Sequence, residues 1–152
     1  MKILSYFATI FNLEYTGSMR FLGIDYGTKR VGVALSDEAG QFAMPLSVIQ
    51  NTKSLAHLVA AVKEIAVKNG VKEAVLGESK NYKGEANAIL EKSLEFKREL
   101  EAQGFTVYLE PEFMTSTHAE KFQGKNDLLD ASAAALILQS FLDKEKNATI
   151  IL

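Results

Sequence analysis

Two aspartates stand where the surrounding pattern calls for apolar residues. Asp25 closes the short apolar run Phe21-Leu22-Gly23-Ile24. Asp130 shares one side of a helical segment with Ala133, Ala134 and Ile137 at i+3, i+4 and i+7 spacing, so it points toward packed structure. A carboxylate in such a place loses hydration, and the loss must be offset by hydrogen bonds, a counter-ion or a metal. The plainest use of Asp25 is to cap the turn that follows, through Thr28 and nearby backbone N–H groups. The more demanding use is to hold a cation. The chain has no Cys, and its two His are His57 and His118, so a metal site here is built mainly from oxygen, which favours Mg²⁺ or Mn²⁺. His57 lies off the apolar stripe of its own segment and is expected at the surface.

The elements that must position these acids follow from periodicity. Phe21 to Asp25 and Val31 to Leu35 are short apolar runs joined by a Gly-containing polar turn, which predicts a β-hairpin. A third strand is expected over Gln41 to Ile49; Pro45 removes a ladder hydrogen bond, so this strand belongs at a sheet edge or carries a bulge. Leu55, Leu58, Val59, Val62, Ile65 and Ala66 repeat at helical spacing and Gly70 stops them. Val71 to Gly77 reads as a buried strand with Glu78 at its end. A second helix is predicted from about Glu85 to Gln103, its inward stripe formed by Ala86, Ile89, Ser93, Phe96 and Leu100. A fifth strand follows at Phe105, Val107 and Leu109 and is expected to end at Pro111. The last helix begins near Asn126 or Asp127 and packs through Leu129, Ala133, Leu136, Ile137, Ser140 and Phe141. Three strands followed by alternating helices and strands give an α/β fold with a mixed five-stranded sheet, three antiparallel strands then parallel ones, flanked by helices.

With 152 residues, 47% of them hydrophobic and 24% charged, the chain has the size and composition of one globular domain. No repeat or low-complexity tract divides it. The net charge of -2 is not the strongly basic balance of a protein held to nucleic acid by bulk charge. Lys29, Arg30, Lys80, Lys83, Lys121 and Lys125 fall in or beside predicted loops, where they are either solvated surface or local basic patches. The apolar stretch Ile3 to Phe11 is too short to span a bilayer and lacks a cleavage pattern. It leaves residues 1–18 as an N-terminal extension, 19–143 as the domain and 144–152 as a tail, in a protein expected in the cytoplasm and not on a membrane.

Gly-Ile-Asp-Tyr-Gly-Thr-Lys-Arg-Val-Gly-Val-Ala, residues 23–34, resembles the opening motif of the YqgF family of pre-16S rRNA nucleases, also described as Holliday junction resolvases. The resemblance covers residues 20–143 and implies a ribonuclease H-like fold in which Asp25 is the first metal-binding carboxylate. Residues 110–117, Glu-Pro-Glu-Phe-Met-Thr-Ser-Thr, resemble the family's Asp-Glu-Arg-Leu-Thr-Thr segment, which puts Glu112 on its acid and Thr115 and Ser116 on its hydroxyls. Pro111 and Phe113 depart from that pattern, and Phe113 removes a cation able to grip phosphate. Residues 130–139 resemble the closing motif and make Asp130 the third carboxylate. Glu78 stands where related enzymes carry a further metal-binding acid, although the family's usual Gly-Leu-Pro is here Gly77-Glu78-Ser79. Asp127 either contributes or simply complements a helix N-terminus.

What the resemblance implies is a two-metal nuclease. Asp25, Glu112 and Asp130 would share two Mg²⁺ or Mn²⁺ ions, with Lys29 or Arg30 orienting a phosphate. The expected substrate is the 5′ end of pre-16S rRNA, and cleavage leaves 5′-phosphate ends. Resolution of branched DNA by a homodimer is the second expectation, and RNA binding in ribosome assembly without catalysis, by a monomer or homodimer, is the third.

Overall fold

The computed structural model describes residues 19–79, 88–112 and 127–151. Strands β1 (Phe21–Tyr26), β2 (Arg30–Ser36) and β3 (Ala43–Gln50) precede helix α1 (Leu55–Asn69). Strand β4 (Glu73–Ser79), helix α2 (Ala88–Ala102), strand β5 (Thr106–Glu112) and helix α3 (Asp127–Ile151) follow. One five-stranded sheet has the order β3-β2-β1-β4-β5. Strands β1, β2 and β3 pair antiparallel, while β1, β4 and β5 pair parallel, as the hairpin and crossover pattern requires.

Side chains alternate across this sheet and divide the core. Leu22 and Ile24 on β1, Val31 and Val33 on β2, and Ala74 and Leu76 on β4 pack with Leu58, Val62, Phe96 and Leu100 of α1 and α2. The other face, with Ala34 and Val75, is covered by Ala134, Ala135, Leu138 and Phe141 of α3. Helix α1 starts at Ser54, whose hydroxyl accepts from the His57 backbone N–H at 3.2 Å, and ends at Gly70 with φ 66°. His57 is exposed, as its position off the stripe requires.

Pro45 is accommodated in both expected ways. β3 is an edge strand, and its register with β2 shifts between Val33, which faces Ser47, and Ala34, which faces Pro45. Pro111 does not end β5, contrary to expectation. β5 is the opposite edge and pairs with β4 alone, so a residue without an N–H is tolerated and the strand runs on to Glu112. The stripe of α2 is also shifted, because Leu90 is buried whereas Ile89 is 38% exposed. On α3, Leu136 is 60% exposed, and the packed surface combines Ala131, Ala134 and Ala135 with the expected Ile137 and Phe141 and with Leu138 and Leu142. Helix α3 continues past Asp143 to Ile151, and Lys144 to Asn147 belong to it while staying mostly exposed.

One reason for that continuation is Glu110. It is 3% exposed, and it accepts hydrogen bonds from Ser140 Oγ at 2.8 Å and from Lys144 Nζ, which tie β5 to α3. Removing the cation leaves a buried carboxylate with only the hydroxyl. Lys144→Ala is therefore expected to cost roughly 2 kcal/mol, below the value for a fully buried pair because Lys144 is itself 58% exposed. Glu110→Gln should cost less, and urea denaturation of the two variants checks the order.

Candidate active site

Asp25 lies near the end of β1, one residue beyond the last β1–β4 pair, Ile24↔Leu76. Glu112 ends β5. Because β1, β4 and β5 are parallel, both acids emerge at the same edge of the sheet, and strand alternation puts both on the face that α3 covers. Strand β4 lies between them. What lets them meet is Gly77: a Cβ added there would stand 2.9 Å from Glu112 Oε2. The missing side chain leaves the path by which Glu112 reaches across β4 to Asp25.

A second glycine solves the matching problem on the other side. Gly32 of β2 is the register partner of Asp25, and a Cβ on it would come 2.0 Å from the backbone oxygen of Asp130. Only a strand residue without a side chain allows the α3 backbone so close. Asp130, near the start of α3, is thereby set down beside Asp25. Each neighbour of Asp25 on the sheet is thus a glycine, one admitting a helix and one a side chain.

The three carboxylates perturb one another. Asp25 keeps some exposed surface, but its carboxyl is deeply surrounded by protein, and burial pushes its pKa well above the usual range. The Glu112 charge, a hydrogen bond with Glu112 and the Asp130 charge act in the same direction. Glu112 is also raised, chiefly by burial, while its hydrogen bond with Asp25 opposes the rise. The physical cause is two carboxyl groups held close together with little water around them, so that each disfavours the charged form of the other. Asp25 therefore faces Glu112, and Thr28, its expected capping partner, is exposed.

Asp130 Oδ2 is buried and has no hydrogen-bond partner of good geometry, although Arg30 Nε approaches it at 3.0 Å as an ion pair. Three carboxylates brought this close supply the hard oxygen donors that suit a divalent cation. Among the described residues, no group of three His, Cys, Asp or Glu side chains is placed to hold a metal ion. The acids are gathered, with Asp130 turned toward Arg30.

Arg30 begins β2 beside the cluster, and Lys29 is exposed in the preceding turn. That turn is fastened to the end of β3, because Asn51 donates from its backbone N to Lys29 O at 2.8 Å and from Nδ2 to Gly27 O at 2.8 Å. Glu78 is paired with Pro111 one position beyond Gly77, and alternation turns it to the opposite sheet face from Asp25. Asp127 is the first residue of α3, but its side chain lies outside the described residues, as do Phe113, Thr115 and Ser116. Sequence reasoning missed Glu110 and the roles of Gly32 and Gly77. The signal for Glu110 was present, since 108, 110 and 112 alternate onto one face of β5.

A Caldanaerobacter subterraneus subsp. tengcongensis protein named "Putative pre-16S rRNA nuclease" is 36% identical over 140 residues, covering 86% of this chain and 100% of its own length. A Moorella thermoacetica protein of the same name is 37% identical over 135 residues, covering 83% of this chain and 96% of its own. Among solved structures, Thermus thermophilus RuvC superposes with TM-score 0.57 at 14% identity over 85% of this chain and 97% of that one, a likeness of fold. The sheet and its helices are accordingly those of the ribonuclease H-like resolvase fold. The family model for RuvX, Holliday junction resolvase, matches residues 19–144, and the chain belongs to that family.

Proposed function

We propose that this protein is a metal-dependent nuclease that hydrolyses phosphodiester bonds in RNA, and that its substrate is the 5′ end of pre-16S rRNA. The observation that carries the reading is the gathering of Asp25, Glu112 and Asp130 at one edge of the sheet, allowed by Gly32 and Gly77. The names of relatives at 36% and 37% identity support the choice of substrate.

Asp25, Glu112 and Asp130 are the residues that would hold Mg²⁺ or Mn²⁺, one ion or two. Bound there, such ions supply the Lewis acidity that activates water and stabilises the leaving oxygen. The chain's own contribution is to gather the acids, and to keep Arg30 and the exposed Lys29 beside them for a phosphate oxygen. The protein acts in the cytoplasm on this reading.

A second reading, resolution of four-way DNA junctions, is favoured by the family description and by the likeness to RuvC solved with a Holliday junction, TM-score 0.55. It calls for a two-fold dimer. The test compares a pre-16S leader, an unrelated single-stranded RNA and a four-way DNA junction, each with Mg²⁺, Mn²⁺ or chelator. Cleavage of the leader that requires metal and leaves 5′-phosphate ends is the expected result. Preference for the junction replaces the first reading with the second. Folded protein that cuts nothing but binds the leader is an RNA-binding assembly factor instead.

A further inference from the structure

On the α1/α2 face of the sheet, around the tip of β1 from the acids, lies a cleft of about 310 Å³. Its walls come from Tyr26, the β1–β2 turn at Thr28, the β3–α1 connection at Asn51 and Lys53, Leu55 at the start of α1, and Lys92 on α2. The volume lies at the small end of ligand sites and suits one nucleotide unit. Lys53 and Lys92 are exposed and make no ion pair or hydrogen bond with the described residues. Glu95 also lines the cleft, so one carboxylate stands against two ammonium groups and the balance is cationic.

Two features connect this cleft to the cleavage site. Tyr26 directly follows Asp25 on β1, so the two side chains point to opposite faces from one rigid strand end. Its ring is held against Phe96, with centroids 5.6 Å apart, which fixes an aromatic surface at the cleft. Asn51 fastens the turn above it, spending its side-chain amide N–H on Gly27 and leaving the amide oxygen for another donor. Cations, a fixed aromatic ring and free hydrogen-bonding groups are the parts of a single-stranded nucleic acid site.

We propose that this cleft is a second RNA-binding subsite. Single-stranded RNA crosses the tip of β1, with the cleaved phosphate at the acids and a neighbouring nucleotide in the cleft, its phosphate on Lys53 and Lys92. The proposal rests on the nuclease reading for the position of the cleaved bond. It accounts for how a protein with net charge -2 holds a polyanion: the cations are local and placed beside the acids.

The experiment measures fluorescence anisotropy of a labelled 12-nucleotide single-stranded RNA with the full chain, in chelator so that nothing is cut, across a range of salt. Lys53→Ala with Lys92→Ala is expected to weaken binding tenfold or more at low salt. The slope of log K against log salt should fall by about 0.7, the value for one single-strand phosphate contact. Lys53→Arg with Lys92→Arg should bind within a few-fold of the parent. Lys63→Ala with Lys68→Ala, on the remote surface of α1, should change neither affinity nor slope by a comparable amount. Unchanged affinity and slope in the Lys53 and Lys92 double alanine variant overturn the subsite. If metal-dependent cleavage by the parent persists alongside that result, the nuclease reading survives it. A parent protein that binds no RNA and cuts none overturns both. Circular dichroism melts of the double variants should match the parent, because both lysines are exposed.

Discussion

Asp25→Asn is expected to lower metal-dependent cleavage by a factor of about 10³ or more while raising the melting temperature of the metal-free protein. The two effects have one cause. Asp25 is the acid in contact with Glu112 and within the field of Asp130, so its negative charge is the one that the metal-free fold tolerates least. An amide keeps the shape and the hydrogen bond to Glu112 but removes the repulsion. The pH dependence follows in sign. Folded-state pKa values raised above the unfolded ones mean that the stabilisation is complete below the ordinary carboxylate range and is lost as pH rises through the raised values. Metal-free parent protein should therefore melt at progressively lower temperature from about pH 4 toward neutrality, with a flatter profile for Asp25→Asn. Adding Mn²⁺ at neutral pH should restore the parent and leave the variant nearly unmoved, since only the parent gains a ligand that binds the folded state. Equal melting curves for the two proteins without metal, or equal responses to Mn²⁺, would remove the acid cluster from the mechanism.

Much of that cluster was legible before any coordinates. An acid at the end of an apolar strand and another on the packed side of a helix are local signals, because burial follows from periods of 2 and 3.6. Asp25 and Asp130 carried them. Glu112 carried none of its own, since Pro111 read as the end of its strand, and it was located by resemblance to a family motif. Whether a proline is tolerated depends on which strand forms the edge, which is a fact of sheet order and not of local sequence. The same reasoning covers Leu136 and Ile89. Both fit a helical stripe, but which of two adjacent stripes is buried depends on how closely the helix approaches the sheet. That approach is set on α3 by Gly23 and Gly32, where added Cβ atoms would meet Ala134 O at 2.7 Å and Asp130 O at 2.0 Å. Glycines in strands announce close approach without naming the partner, and the partner here lies about a hundred residues away.

Gly32→Ala is expected to be the most damaging glycine-to-alanine change among the described residues, and its comparison with Gly77→Ala separates positioning from folding. At Gly32 the obstacle is helix backbone: Asp130 O at 2.0 Å, its carbonyl carbon at 2.5 Å and Ala131 N at 3.2 Å. No rotamer change relieves that contact, so the start of α3 must lift from the sheet and carry Asp130 with it. Such overpacking against backbone should cost on the order of 3 kcal/mol, at the upper end for an inserted methyl group, and lower the melting temperature by about 6–12 °C. The Mn²⁺-dependent rise in melting temperature should vanish as well. At Gly77 the nearest atoms are side-chain tips, Ile137 Cδ1 at 2.7 Å and Glu112 Oε2 at 2.9 Å, which can move. Gly77→Ala should therefore melt within a few degrees of the parent. It should still lose most of its cleavage, because the new methyl group occupies the path by which Glu112 reaches Asp25. Melting curves with and without Mn²⁺, set beside cleavage rates, give the comparison directly. Were Gly77→Ala to cleave at the parental rate, Glu112 would not need to reach Asp25. Were Gly32→Ala to retain both its stability and its response to metal, Asp130 would not be positioned by the contact of α3 with β2.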